Sequence, residues 1–351
     1  MEYEIELKLT TTVQAGEFIE NSLLPKLAAK VEQQELELSN SYFDTSERDF
    51  RLNGMGLRIR GCQHEYEQTI KTAGKGVAGL QQRPEYNVDL GKLPKAPETP
   101  DLSLFPAEVW PVGFDHQGAQ TQLQCLFVTQ FKRSVYLLNF NPQSQIELVW
   151  DRGEVRANDK CDEINEIELE LKAGNISEIF NVARQLATIM PLKIGLLSKA
   201  ARGYRLLNGG GQADKTLPEP LNLLTEEQVK HSSRAQLHSL VAKRLSRWQK
   251  LLNYFEMQPS QACWHEINTV WQQLSLVLAQ CCKQGSDNSQ SLHCAMQDFQ
   301  HQWQGVVLSG AGNSQTATPS HWHAAVEVLT GSSALLMQLA IMQYLVEQQA
   351  V

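Results

Sequence analysis

From Glu2 to Leu9 the chain alternates charged and apolar side chains with a period of two. A strand with that spacing sets Glu4, Glu6 and Lys8 on one face and Ile5, Leu7 and Leu9 on the other. Taken alone, Glu-x-Glu-x-Lys also describes a solvated strand face. Repetition changes the picture. Glu166, Glu168, Glu170 and Lys172 oppose Ile167, Leu169 and Leu171, and Arg58 and Arg60 oppose Leu57 and Ile59. Glu147 and Asp151 fall in line, Arg133 stands alongside Phe131, and Lys71, Arg83 and Glu85 extend the pattern. Both signs of charge therefore recur on one face of many strands. If the apolar faces turn outward under covering helices, the charged faces line an interior, and a closed sheet of about eight strands has a bore for one small ligand.

Between the strands, Phe18, Leu23, Leu24 and Leu27 predict a helix interrupted by Pro25 and covering the outer wall. The proline-rich stretch from Gly91 to Gly118 predicts an irregular loop over one mouth of the bore. An apolar stripe predicts a helix over 177–190. Asn208-Gly-Gly-Gly211 through Pro220 reads as a linker, after which the period shifts from two to about 3.6. Stripes through Leu237–Phe255, Trp264–Cys281, Leu292–Val306 and Val328–Leu345 predict four helices of a bundle core. The predicted class is α+β: a closed antiparallel barrel at 1–206, a linker at 207–221 and a helical domain at 222–351.

Composition narrows the options. A length of 351 residues exceeds a single core, in keeping with two domains. A formal net charge of −8 opposes general binding to nucleic acid or anionic membrane. No basic, apolar leader precedes the first strand and no apolar run reaches spanning length, so a cytoplasmic location is expected. Seven irregularly spaced cysteines suit free thiols, and adjacent Cys281 and Cys282 suit packing. His321 and His323 read as surface residues, and no Cys/His cluster has zinc spacing.

The strand motifs, with Tyr42-Phe-Asp44-Thr, Gln82-Arg-Pro-Glu-Tyr86 and Leu197-Ser-Lys-Ala-Ala-Arg-Gly-Tyr204, form an ordered set over residues 1 to about 205. This set resembles the CYTH-domain triphosphate tunnel metalloenzymes, most closely the bacterial CYTH-CHAD inorganic triphosphatases. The resemblance implies a barrel that hydrolyses tripolyphosphate. It points Lys8, Arg58, Arg60, Lys71, Arg133 and Lys199 at the phosphates and assigns Mg2+ or Mn2+ to Glu4, Glu6, Glu168 and Glu170. Lys8 also counts with the catalytic set, and Glu85 and Asp151 are the candidates for positioning the attacking water or supplementing the metal shell. Phe131 departs from relatives that carry a second cation there. The same fold also serves class IV-type adenylate cyclases, thiamine or nucleoside triphosphatases, and a non-catalytic polyphosphate-binding module. The CHAD-like helical domain is short, with its cations (Lys230, His231, Arg234, His238, Lys243, Arg244, Arg247 and Lys250) nearly all on one helix; a packing or dimerisation role is expected of it.

Overall fold

In the computed structural model, residues 2–27, 29–209, 217, 220–284, 289–306 and 319–348 are described. The chain divides into two compact units. One comprises Met1–Gly76, Leu80–Ile179 and Gly195–Ala213; the other comprises Val77–Gly79, Phe180–Ile194 and Asp214–Val351. Most of the expected linker, 210–216 with 218 and 219, lies outside the described residues, as does 307–318 of the polar connection before the last helices.

The first unit is built on eight long antiparallel strands: β1 (Glu2–Thr10), β2 (Lys30–Asp44), β3 (Gly56–Cys62), β4 (Glu65–Lys71), β5 (Leu80–Lys92), β6 (Gln124–Asn141), β7 (Ser144–Ala157) and β8 (Lys160–Ala173). Around the ring they run β1-β8-β7-β6-β2-β3-β4-β5, and β5 pairs back onto β1, so the sheet has no free edge among these strands. The alternation read from the sequence is the alternation observed. Leu7, Leu9, Leu57, Ile59, Ile167 and Leu169 are buried on the outer face. Their partners across each pleat turn inward.

The outer face is covered as its apolar residues require. Residues 15–26 wind from an α-turn (Ala15–Phe18) through a π-helical turn (Ile19–Leu23) to a 3₁₀ turn at Leu24–Lys26, where Pro25 ends the regular pattern. Gly16 lies so close to Trp150 that a Cβ there would stand 2.8 Å from the indole. The proline-rich connection takes a different place from the one expected. Leu102, Phe105, Val109 and Ala119 join Phe43, Phe50, Met55, Leu57 and Ile70 in one cluster, and none of the stretch Gly91–Gly118 lines the bore. Its apolar side chains pull it onto the wall instead of the mouth.

One end of the barrel interior is apolar. Leu38, Tyr42, Phe127, Phe131, Val155 and Ile164 pack with Tyr204 and Leu206 of the short helix Lys199–Leu207. Gly203 permits the contact, since a Cβ there would meet the Phe127 ring at 2.1 Å. The Phe131 departure thus falls in the seal closing that end.

The second unit contains the 24-residue helices Arg234–Met257 and Gln261–Gln284, with Ser289–Val306, Pro319–Thr330 and Ser332–Glu347. Two capping boxes, Thr225 with Gln228 and Ser233 with Gln236, open consecutive helices. The stripes read from the sequence form its core: Leu237, Val241, Trp248, Phe255, Ile267, Trp271, Phe299 and Leu345 are all buried. Arg247 is buried and paired with Glu266 at 2.7 Å, and buried Arg244 donates to the carbonyls of Leu240 and Asn222. Two of the eight candidate cations of this unit are thereby committed to packing. Cys281 is likewise buried, and burial pushes its thiol up to about 11. His323 is exposed and pairs with Glu327; the side chain of His321 lies outside the described residues. Among the described residues no single helix is long and apolar enough to cross a membrane.

Candidate active site

The pleat explains why the charged side chains meet. Antiparallel register sets Glu6 of β1 opposite Glu170 of β8, Lys8 opposite Glu168, and Glu4 opposite Arg83 of β5. Directly opposed side chains lie about 5 Å apart, so charges on neighbouring strands are forced into contact once the sheet closes. The result is a cavity of about 430 Å3 inside the barrel. Its described lining includes nine cations, among them Lys8, Arg58, Arg60, Lys71, Arg133 and Lys199, and seven carboxylates, among them Glu4, Glu6, Glu85, Glu168 and Glu170. The wall is therefore net cationic until the carboxylates behind it are counted.

Those hidden carboxylates are Asp151 and Glu166, both fully buried. Arg133 grips Asp151 through two parallel bonds of 2.7 Å and reaches Glu168 at 2.8 Å. Lys199 contacts Asp151 at 2.6 Å, Glu166 at 2.5 Å and Glu168 at 3.0 Å. Lys8 pairs with Glu166 at 2.9 Å and with Glu168. Asp151, Glu166 and Glu168 form a tight acidic cluster, and two lysines and an arginine are packed into it. Gly195 makes room, because a Cβ there would stand 2.6 Å from the Lys8 stem. Burial lowers the affinity of Lys8 and Lys199 for a proton, but the surrounding carboxylates outweigh it and raise both. The same cations outweigh burial at Glu168 and hold it well below its ordinary value.

Across the cavity, Glu85 accepts from Arg58 at 3.3 Å and from Lys71 at 3.2 Å, and Lys71 also holds Glu4. These cations outweigh burial and lower the Glu85 carboxyl. Arg60 is different. It donates to Asn40 at 3.1 Å and has no carboxylate within 4 Å among the described residues. Burial, with Arg58 and Arg133 nearby, lowers it to about 10. The Nε donors of Arg58 and Arg83 are buried without a partner among the described residues. Unbound buried donors of this kind cost about 1–3 kcal/mol each, and an anionic ligand satisfies them.

The acidic half answers with the opposite imbalance. Glu6 is pushed up to about 7 by burial and by Glu168. Burial also raises Glu170, with Glu4 and Glu147 adding to the rise against Lys172. Glu4, Glu6, Glu168 and Glu170 all line the cavity and supply only hard oxygen donors, the set that Mg2+ or Mn2+ takes. The carboxylates whose oxygens already converge within 4.8 Å are Asp151, Glu166 and Glu168, so a divalent cation held by Glu4, Glu6, Glu168 and Glu170 would have to draw them together, offsetting the burial and the Glu168 charge that raise Glu6.

The structure brings every cavity residue expected from the sequence to one place except Asp151, which stands behind the wall with both oxygens bound. Reading the sequence left Glu67, Glu147, Arg83 and Lys172 out of the site, although all four line it. Their signal was present: each shares the inward parity of a residue that was included, as Glu67 does with Lys71. Glu166 was missed as the partner of Lys8 and Lys199, a contact that depends on barrel closure.

The profile of the CYTH domain matches residues 2–204. The inorganic triphosphatase of Haemophilus influenzae is 38% identical over 206 residues, covering 58% of this chain and 54% of that one. The chain thus spans about half the length of that curated relative. Among solved structures, a Hippeastrum protein assigned as an adenylyl cyclase, with a dominant triphosphatase activity, is 16% identical at a TM-score of 0.40, covering 59% of this chain and 96% of its own. The Mimivirus capping enzyme triphosphatase is 12% identical at a TM-score of 0.31, covering 52% of this chain and 89% of its own. With the family profile extending from the first strand to the helix that seals the barrel, the chain belongs to the CYTH domain family.

Proposed function

We propose that the barrel hydrolyses the terminal phosphoanhydride of inorganic tripolyphosphate with the help of a divalent cation. The observation that carries this reading is the sharing of one enclosed cavity by an arginine cluster lacking carboxylate partners at Arg60 and an oxygen-donor set at Glu4, Glu6, Glu168 and Glu170. The identity to a triphosphatase supports it. Tripolyphosphate carries about four or five negative charges near neutral pH, and a water-poor bore holds such an anion only through fixed cations.

In this reading water adds to the terminal phosphorus, and the bridging P–O bond breaks with its electron pair leaving on pyrophosphate. The protons of the water pass to products and solvent. Arg58, Arg60 and Arg133 offset charge on the transferring and leaving groups; the Arg60 fork is open to grip two oxygens, while Arg133, its fork held by Asp151, contributes its charge. Lys8, Lys71 and Lys199 hold the phosphate chain as point charges. Glu85, the wall-facing member of the pair expected to position water, holds Arg58 and Lys71 in line and has lone pairs left to orient it. A cation bound by Glu4, Glu6, Glu168 and Glu170 would act as a Lewis acid on the phosphate oxygens.

An inorganic substrate is favoured by the rings around the cavity. Tyr42 stacks on Phe127, Tyr204 lies beneath Arg51, and Tyr42, Tyr204 and Phe131 are all buried, leaving no free stacking face on them for a base. The test offers the purified protein tripolyphosphate, ATP and thiamine triphosphate with Mg2+ or Mn2+ and follows phosphate and cyclic AMP. Faster phosphate release from tripolyphosphate is expected; preference for ATP, or any cyclic AMP, rejects the assignment.

A further inference from the structure

Lys199 reaches the acidic cluster from the first position of the helix Lys199–Leu207, whose N-terminus is capped by Ser198 accepting from the Ala201 amide at 3.1 Å. Five residues on, the Tyr204 hydroxyl donates to Asp44 at 2.6 Å. Asp44 is the last residue of β2, fully buried, and accepts three further bonds. Its Oδ1 takes the amides of Thr45 at 2.8 Å and Phe50 at 2.9 Å, and its Oδ2 takes the amide of Arg51 at 3.1 Å beside the Tyr204 hydroxyl. One carboxylate thus organises the turn carrying Arg51 and anchors the helix carrying Lys199. Arg51 closes the arrangement from above, its guanidinium 4.3 Å from the centre of the Tyr204 ring, and both residues line the cavity.

A second tether holds the same helix from another side. Arg202 and Arg205 donate to Asp162 of β8 at 2.9 and 2.8 Å. In the closed ring β8 and β2 stand three strands apart, so the helix is strung between two walls. The Tyr204 bond to Asp44 is the polar tether on the β2 side that lies nearest the cavity end of the helix. Tyr204 keeps its proton, since burial and Asp44 both raise its pKa, so it remains a donor to that carboxylate.

We propose that Tyr204 is a positioning residue whose bond to Asp44 sets how far the helix presents Lys199 into the cavity, and that it governs retention of the phosphate chain more than turnover. This rests on the tunnel being the tripolyphosphate site. The effect runs through one side chain, which makes it separable from general stability.

The experiment is a double-mutant cycle of Tyr204→Phe and Lys199→Ala, reading KM and kcat for tripolyphosphate, its Kd by calorimetry, and Tm. Phenylalanine keeps the ring contacts with Phe127 and Arg51 and removes only the hydroxyl. Tyr204→Phe is expected to raise KM and Kd about tenfold, the scale of one bond to a charged group, with kcat within about twofold. In the Lys199→Ala background the same change should alter Kd by less than about 1.5-fold. A normal KM in Tyr204→Phe overturns the proposal, and so does an additive cycle, because a merely structural tyrosine weakens the site whether or not Lys199 is present. If the protein binds tripolyphosphate without cleaving it, hydrolysis fails as a reading while the Kd cycle still decides the positioning role. Absence of binding by the wild type overturns both.

Discussion

The tunnel and the helical unit both bury arginines, and the clearest contrast between them is that of Arg60 with Arg247. In the bundle, Arg247 is matched to Glu266, while Arg244 gives its terminal nitrogens to two backbone carbonyls and leaves its buried Nε unbound among the described residues. In the barrel, half-buried Arg60 stands near Arg58 and Arg133 and donates to an amide oxygen with no carboxylate partner among the described residues, and Arg58 and Arg83 each leave a buried Nε unbound there. A buried charge that is matched internally contributes to one packing arrangement; a cavity charge without a carboxylate partner costs stability that an anionic ligand can offset. Breaking the Arg247 pair should therefore cost stability, and removing Arg60 should cost activity.

The largest effect is expected where the tunnel's acidic half is broken. Glu6→Gln keeps the shape of the side chain and removes one oxygen donor from the proposed metal set. It should lower phosphate release from tripolyphosphate by about a thousandfold, a loss of about 4 kcal/mol of barrier reduction. Its melting temperature should not fall. Turnover within tenfold of wild type would take Glu6 out of the metal site.

Arg60→Ala comes next. Loss of one fixed cation in a site shielded from water should reduce kcat/KM about a hundredfold. The variant should melt no lower than the wild type, because Arg58 and Arg133 lose a like-charged neighbour. A drop of several degrees with kinetics unchanged would make Arg60 a packing residue and erase the contrast with the bundle.

Glu266→Gln tests the other side. Stranding Arg247 without its carboxylate should cost about 3 kcal/mol, seen as a lower midpoint in urea, with KM and kcat for tripolyphosphate unaltered. A selective fall in kcat/KM in this variant would show that the bundle contributes to the tunnel chemistry.

The same contrast explains what could be read from the chain. Period-two alternation sorted Leu7, Leu9, Ile167 and Leu169 from Glu4, Glu6, Glu168 and Glu170 before any coordinates, because side-chain direction in a strand is a local property. The 3.6-residue stripes of Trp248, Trp271 and Leu345 were equally local. What depends on closure was not visible. Asp151 has the inward parity of Glu147 but lies behind Lys199, since the helix Lys199–Leu207 enters the barrel at that end. The loop of 91–118 could not be placed, because its prolines report irregular backbone and say nothing of which wall Leu102 and Phe105 will find. Arg247 and Arg244 could be read only as candidate cations on one helix for the same reason: their partners, Glu266 and the Asn222 carbonyl, are 19 and 22 residues away.

The smallest expected effect, and the one that separates the two kinds of burial without changing the arginines, is in pH. Glu6 has its folded pKa raised to about 7 from an ordinary 4.5, so between those values the folded protein holds a proton the unfolded chain has released. Stability of the metal-free protein should then fall as pH rises from about 4.5 to 7. Glu85 and Glu168 are shifted the other way, so their contribution is present above the ordinary carboxylate range and is lost as pH falls below it. A divalent cation requires Glu6 as the carboxylate, so its affinity should climb up to about tenfold per pH unit below 7 and level off above. Melting curves from pH 5 to 8 in chelator should thus decline by a few degrees, and saturating Mg2+ or Mn2+ should remove the decline. Glu6→Gln should make the chelator curve shallower by itself, since it removes the Glu6 proton and leaves that of Glu170. A metal-free protein whose melting temperature climbs steadily over that range, with Glu6→Gln following it, would mean that Glu6 is already ionised without a cation and that the acidic half needs no ligand to balance it.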